Sequence, residues 1–161
     1  MADAKKLLAD GLSAGFAGHS TFETIQRGPF QGKQSLFTPG AGKVYLDQWF
    51  ASLRGGGQEL VQDGSELATR LYAGGTIDDE ELTKLGITED QVSEQLKKSI
   101  SELGEKTRLG ENCSPEPDGD WKYDYQILDT IPEIGLRIGL ESIYYKGSLV
   151  FAHGFLQSPV K

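Results

Sequence analysis

The sequence predicts an α+β fold: an antiparallel sheet, built from two three-stranded meanders, packed against an N-terminal and a central helix. Three observations carry that expectation. Two helix starts with the same capping grammar follow one another at 77–82 and 87–92. Trp121, Tyr123, Tyr125 and Ile127 alternate with Lys122, Asp124 and Gln126, the period of a half-buried strand. Asp63-Gly64 and Lys146-Gly147 each lie between β-rich runs, where a tight hairpin turn calls for glycine.

A first helix is expected over 2–14, because Ala4, Leu7, Leu8 and Leu12 recur at three- and four-residue spacing and Gly15 supplies a stop. Residues 18–42, punctuated by Gly28-Pro29, Gly32 and Pro39-Gly40, read as short extended pieces joined by turns. Asp78 is the expected cap of a short helix, with Glu81 as capping-box partner and Ile77 stapled to Leu82. Gly86 ends it, and Thr88, Gln91 and the pair Ile87/Val92 repeat the pattern. The helix that follows runs to about 103 and buries Val92, Leu96, Ile100 and Leu103. Residues 104–120 hold Pro115, Pro117 and Asp118-Gly119 and read as a loop.

The first meander is expected over 43–73, the helices over 76–104 and the second meander over 121–156, all within a single domain spanning 1–161. The meanders share landmarks in the same order. Tyr45-x-Asp47 answers Tyr123-x-Tyr125, Gly57-x-Glu59 answers Gly139-x-Glu141, and Gly64-Ser65 answers Gly147-Ser148. That order reads as an internal duplication.

The bulk composition is that of an ordinary globular chain, with 37% hydrophobic and 25% charged residues. A formal charge of −8 makes this an acidic protein and argues against nucleic acid and anionic membrane surfaces as partners. Cys113 is the only cysteine, so no internal disulfide forms and a reducing, cytoplasmic setting is expected. No run approaches the ~20 apolar residues of a membrane span.

The landmarks resemble a family known as an uncharacterised bacterial domain of unknown function. The resemblance runs through Phe16-Ala17-Gly18, Tyr45-x-Asp47, Gly57-x-Glu59, Tyr72-x-Gly74 and Glu141-x-Ile143-x-Tyr145-x-Gly147-x-x-Val150-Phe151. It implies a fold of this kind and a bacterial source, and no activity.

Several chemical motifs are decoys. Gly11-Leu12-Ser13-Ala14-Gly15 matches the hydrolase elbow, but that elbow follows a strand and here a helix precedes it. Pro39-Gly40-Ala41-Gly42-Lys43 has Phe37 and Val44 where a phosphate loop requires Gly and Ser or Thr. Arg54-Gly55-Gly56-Gly57 reads as an inter-strand loop or bulge. His19, His153 and Cys113 are not spaced as a zinc cage, so neither a metal nor a cofactor is expected. With Lys146-Gly147 as a two-residue turn, Glu141 faces away from His153, and His153 joins Leu149, Phe151 and Phe155 in the core.

The ligand-binding candidates are Glu59, Arg70, Asp47 and Trp49. An Asp63-Gly64 turn places Glu59 diagonal to Arg70 on one face, as a surface ion pair or as the wall of a polar cleft that Tyr45, Asp47 and Trp49 extend. The leading functional expectation is a small binding or interaction module for a small polar molecule or a protein partner. The alternative is a small enzyme using the carboxylates of Asp47, Glu59 and Glu141 in a sheet-lined pocket, with a divalent cation as an option. Convergence of those carboxylates in one deep pocket separates the two. The oligomeric state is not legible.

Overall fold

The computed structural model describes residues 2–15, 22–51, 54–106, 108 and 111–160. Helix α1 (Ala2–Ala14) is followed by strands β1 (Glu23–Arg27), β2 (Phe30–Gly40), β3 (Lys43–Ala51), β4 (Arg54–Asp63) and β5 (Glu66–Thr76). Helices α2 (Asp79–Leu85) and α3 (Glu89–Leu103) lead to β6 (Trp121–Ile131), β7 (Leu136–Tyr145) and β8 (Ser148–Val160). The eight strands form one sheet in the order β1-β2-β3-β4-β5-β8-β7-β6, antiparallel at every pairing. The class is therefore α+β with a large sheet. Within the stretch expected as short extended pieces joined by turns, Glu23–Arg27 and Phe30–Gly40 form the β1–β2 hairpin, which adds two strands at one edge.

Capping explains the helix ends. Thr88 and Gln91 make the full reciprocal capping box ahead of α3, as the sequence predicts. Asp78 occupies the cap of α2 but makes no side-chain cap bond; its carboxylate takes Arg54 Nη2 at 2.6 Å instead. Gly86 closes α2 at φ 76°, a left-handed geometry that glycine adopts freely. One face of the sheet carries the core: Leu7, Leu8 and Leu12 of α1 and Val92, Leu96 and Ile100 of α3 cluster with Tyr45, Tyr123, Ile143 and Phe155.

Glycines in two strands make room for tyrosines. A Cβ on Gly57 would stand 2.5 Å from the Tyr72 hydroxyl, and one on Gly139 would stand 2.4 Å from that of Tyr125. Gly11 on α1 lies against the Tyr45 ring in the same way, where a Cβ would meet Cγ at 2.2 Å. The glycine of each Gly-x-Glu landmark is thus a seat for a phenol.

Two hairpins set the pairing, and one departs from expectation. Lys146 and Gly147 have φ of 49° and 81° and connect Tyr145 to Ser148, as predicted. The other turn is Gly64-Ser65, not Asp63-Gly64: Gly64 has φ 60° and Asp63 pairs with Glu66. That shift brings Glu59 directly opposite Arg70 and not diagonal to it. A bulge in β8 overturns the Glu141–His153 expectation. Ile143 pairs with Phe151 and Tyr144 with Leu149, leaving Val150 as the extra residue. Beyond it Glu141 pairs with His153, on the same core-side face.

The opposite face of the sheet has a different character. On β3, β4 and β5 the outward positions alternating with buried ones are Val44, Leu46, Gln48, Gln58, Leu60, Gln62, Leu67, Thr69 and Leu71. On β8 and β7 they are Leu156, Ser158, Val160, Ile138 and Leu140.

Candidate functional site

Six strands place polar side chains on the core face. Asp47, Glu59 and Arg70 occupy one cross-strand row on β3, β4 and β5. Tyr125, Glu141 and His153 occupy a second on β6, β7 and β8. Glu59, Arg70 and Glu141 are 0% exposed, so Glu59 and Arg70 are not a surface pair. Charges this deep require partners.

The partners are arranged in two clusters. Glu59 accepts a two-point contact from Arg70, through Nε and, at 2.5 Å, Nη2, and it accepts the Tyr45 hydroxyl at 2.8 Å. Glu141 accepts Arg108 Nε at 2.9 Å and Nη2 at 2.7 Å, and it accepts the Tyr123 hydroxyl at 2.7 Å. Both guanidiniums lie over the Phe155 ring, at 5.6 Å for Arg70 and 4.9 Å for Arg108. Arg70 Nη1 also donates to the Arg108 carbonyl at 3.4 Å. That contact helps hold Arg108 at φ 64°, a backbone geometry that disfavours a residue with a side chain.

Beside these clusters lies a cavity of about 320 Å³ between the sheet and α3. Asp47, Trp49, Tyr72 and His153 line it from the sheet, Glu89, Val92, Ser93 and Leu96 from α3, with Lys33, Leu12 and Arg108 at its margins. Asp47 is 4% exposed and accepts the Tyr72 hydroxyl at 2.9 Å. Burial and then the nearby Glu59 push the Asp47 carboxyl up to about 7, against the opposing pull of the Tyr72 hydrogen bond and both arginines. Burial likewise drives the Tyr72 hydroxyl well above its ordinary range. Burial drives the His153 imidazole down to about 4, although Glu141 pulls the other way. Burial alone would raise the Glu141 carboxyl, but the charge and hydrogen bonds of Arg108 outweigh it and hold the group below its ordinary value.

His153 is the odd member of the constellation. Its Nδ1 stands 3.8 Å from Glu141 Oε2, beyond hydrogen-bond reach, and is buried without a partner. Its ring packs against Phe151 at 4.4 Å and Tyr72 at 5.5 Å. At neutral pH the cavity wall therefore offers a neutral imidazole and a carboxyl near its midpoint.

Of the four sequence candidates, Asp47 and Trp49 line the cavity, while Glu59 and Arg70 lie beneath it in the sheet. The cavity also takes in His153, which the expected pairing assigned to the core alone. Arg108 escaped notice because a loop between a glycine and two prolines has no period from which to read burial. One signal is present in the sequence: of the two Gly-x-Glu glutamates, Glu59 has an arginine, Arg70, on the strand after its turn, whereas the corresponding position after the Lys146-Gly147 turn is His153. Ser13 of the hydrolase-like motif is exposed on α1, whereas Gly11 and Gly15 are buried. Cys113, in the stretch expected as a loop, exchanges backbone hydrogen bonds of 2.8 Å with Tyr125. Burial raises the Cys113 thiol, with Glu111 and Asp124 adding to it and Lys106 opposing.

Among the described residues no three acidic, histidine or cysteine side chains gather as a cation cage, and no helix is long and apolar enough to cross a membrane. Phe16-Ala17-Gly18 of the family resemblance, and His19, lie outside the described residues. Compared with protein-family models, with curated proteins and with solved structures, the chain shows no match.

Proposed function

We propose that this protein binds a small polar molecule in the cavity between the sheet and α3. The single observation that carries the reading is the pairing, on one cavity wall, of a buried carboxyl near its midpoint with a neutral imidazole whose Nδ1 has no partner. A carboxyl and an imidazole beside aromatic and aliphatic walls suit a ligand with polar and apolar parts. Charge at the cavity is near balance. Lys33 and Glu89 offset one another, and Arg108 is committed to Glu141. The ligand class is therefore uncharged or zwitterionic, in preference to a strong anion.

The finer architecture belongs to the same proposal. We read 43–73 and 121–156 as copies of one three-stranded unit within a single domain of a cytoplasmic, bacterial protein. Equivalent residues support this: Tyr45 and Tyr123, Asp47 and Tyr125, Gly57 and Gly139, Glu59 and Glu141, Arg70 and His153 occupy matching cross-strand positions. On this view the polar cavity belongs to the unit that kept Asp47.

One observation favours a second reading, in which the protein is an enzyme. A carboxyl at about 7 is matched to proton transfer near neutrality. Asp47 is then the acid–base group, and Glu59 and Glu141, each gripped by an arginine, are structural.

The test is a thermal-shift panel of neutral, zwitterionic and anionic metabolites, followed by calorimetry on wild type and on Asp47→Asn, His153→Gln and Trp49→Ala. Neutral or zwitterionic compounds should raise the melting temperature of wild type, and each substitution should weaken binding at least tenfold. Compounds that bind all four proteins equally would move the site elsewhere. Mass-spectrometric conversion of a bound compound, abolished in Asp47→Asn, would select the enzyme reading.

A further inference from the structure

On the face of the sheet turned away from the helices, the positions from Val44 to Phe50 on β3, Gly56 to Gln62 on β4, Leu67 to Ala73 on β5, Gly154 to Val160 on β8 and Ile138 to Leu140 on β7 carry no charged side chain, in a chain with 16 basic and 24 acidic residues; Arg54, at the start of β4, lies one row beyond them and pairs with Asp78. Leu46, Leu60, Leu67, Leu71, Leu156 and Val160 form its apolar rows. Leu67, Leu71, Leu156 and Val160 remain 43–45% exposed. The polar side chains between them are already engaged: Gln58 donates to Thr69 at 3.0 Å, and Gln48 donates to Gln34 at 2.5 Å. Such a face can be dehydrated without stranding a charge, and with few hydrogen bonds to surrender.

From this we infer that the charge-free face is the contact between two copies of this chain, packed sheet against sheet. Three arguments select a second copy as the occupant. The first is area. Five strands at ~4.8 Å spacing and seven residues at ~3.3 Å rise give a patch of about 550 Å² in projection. Two such patches reach about 1,100 Å², above the ~1,000 Å² that a specific interface needs and at the top of what a monomer leaves bare.

The second argument is charge. At −8 per chain, two copies repel wherever their acids meet. This face keeps the acids away, since Glu23 lies on β1 and Asp124 on β6, at opposite edges of the sheet. A charged partner would find no counter-charge on these rows and would gain nothing here. The third is shape. Rows of leucine at pleat spacing match an identical face at the ~10 Å separation of packed sheets, and a shallow hollow between Leu46, Leu60 and Leu67 receives side chains from opposite.

The test is sedimentation of the full chain over about 1–200 µM, a range that brackets weak dimers. Wild type should approach twice the 17.5 kDa chain mass. Its association should tighten as sodium chloride rises from about 50 to 500 mM, because salt screens the acids of the two chains. Leu71→Arg and Leu60→Arg, both at exposed positions, should sediment as monomers while unfolding within a few degrees of wild type. Wild type at 17.5 kDa at every concentration would overturn the inference, as would a dimer indifferent to both substitutions. Binding of the monomer to neutral phosphatidylcholine vesicles, lost in Leu71→Arg, would assign the face to lipid instead. If an arginine variant loses its fold, Leu71→Gln replaces it and the same two outcomes decide.

Discussion

The two tyrosine–glutamate–arginine clusters differ in where their cation comes from. In the first, Tyr45, Glu59 and Arg70 come from three consecutive strands, with the guanidinium directly opposite the carboxylate. In the second, Tyr123 and Glu141 come from strands but Arg108 arrives from the loop after α3, and His153 stands where the strand arginine would be. The first arrangement closes itself and buries all of its polar atoms. The second frees a strand position on the cavity wall for an uncharged imidazole. One carboxylate neutralised locally makes a strut; the same carboxylate neutralised from outside leaves room for a site.

Removing each cation is the sharpest way to break that comparison. Arg70→Leu strands the buried Glu59 and should cost about 3–5 kcal/mol in chemical denaturation. Arg108→Leu should cost less, about 1–3 kcal/mol, because His153 stands 3.8 Å from Glu141 Oε2 and can take up a proton in its place. The accompanying sign is specific: the His153 NMR titration should move from about 4 in wild type toward neutrality in Arg108→Leu only. Equal losses, with no movement of His153, would erase the distinction between the clusters.

The pH profile divides the cavity wall into two opposing contributions. Asp47 is raised in the fold from 3.8 to about 7, so the native state holds a proton that the unfolded chain has lost, and stability falls as pH rises through that window. His153 is lowered from 6.5 to about 4, so its contribution falls as pH drops through that window. In wild type the two slopes offset between about 4 and 6.5. Asp47→Asn should stabilise by roughly 2–4 kcal/mol at pH 8, have little effect below pH ~4, and leave stability rising with pH. His153→Gln should leave it falling with pH. Parallel profiles for the two variants would show that burial does not control these groups.

The smallest expected difference lies in the glycine seats. Gly57→Ala would meet the Gln48 carbonyl as well as the Tyr72 hydroxyl at 2.5 Å and should cost about 2–3 kcal/mol. Gly139→Ala meets the end of the Tyr125 side chain and should cost about 1–2 kcal/mol. Tyr125→Phe should recover part of the Gly139 loss, while Tyr72→Phe should recover little at Gly57, where backbone is in the way. Thermal denaturation of the double variants reads this directly.

Much of the fold was legible because its signals are local. The α3 capping box, the Gly86 stop, the Lys146-Gly147 turn and the strands around them depend on residues within a few positions of one another. The site was less legible because side chains in a sheet have a period of two, so small errors in pairing carry large consequences. Placing one turn at Asp63-Gly64 instead of Gly64-Ser65 moved Glu59 off Arg70. Missing the bulge at Val150 put His153 on the wrong side of Glu141. Both errors fell where glycine, serine and β-branched residues allow either register at similar local cost.

What the sequence determines by itself here is periodicity and punctuation: which segments are helices, which are strands, where the chain turns, and that tyrosine, glycine and glutamate recur in order. Tertiary structure alone decides which charges meet. Arg108 reaches Glu141 across 33 positions of chain, and the Asp47 carboxyl is pushed up by burial beside Glu59, whose partner comes from a third strand. Local propensity acts over one turn or one pleat, whereas the energy of a buried charge depends on everything packed around it, and that environment exists only once the sheet has formed.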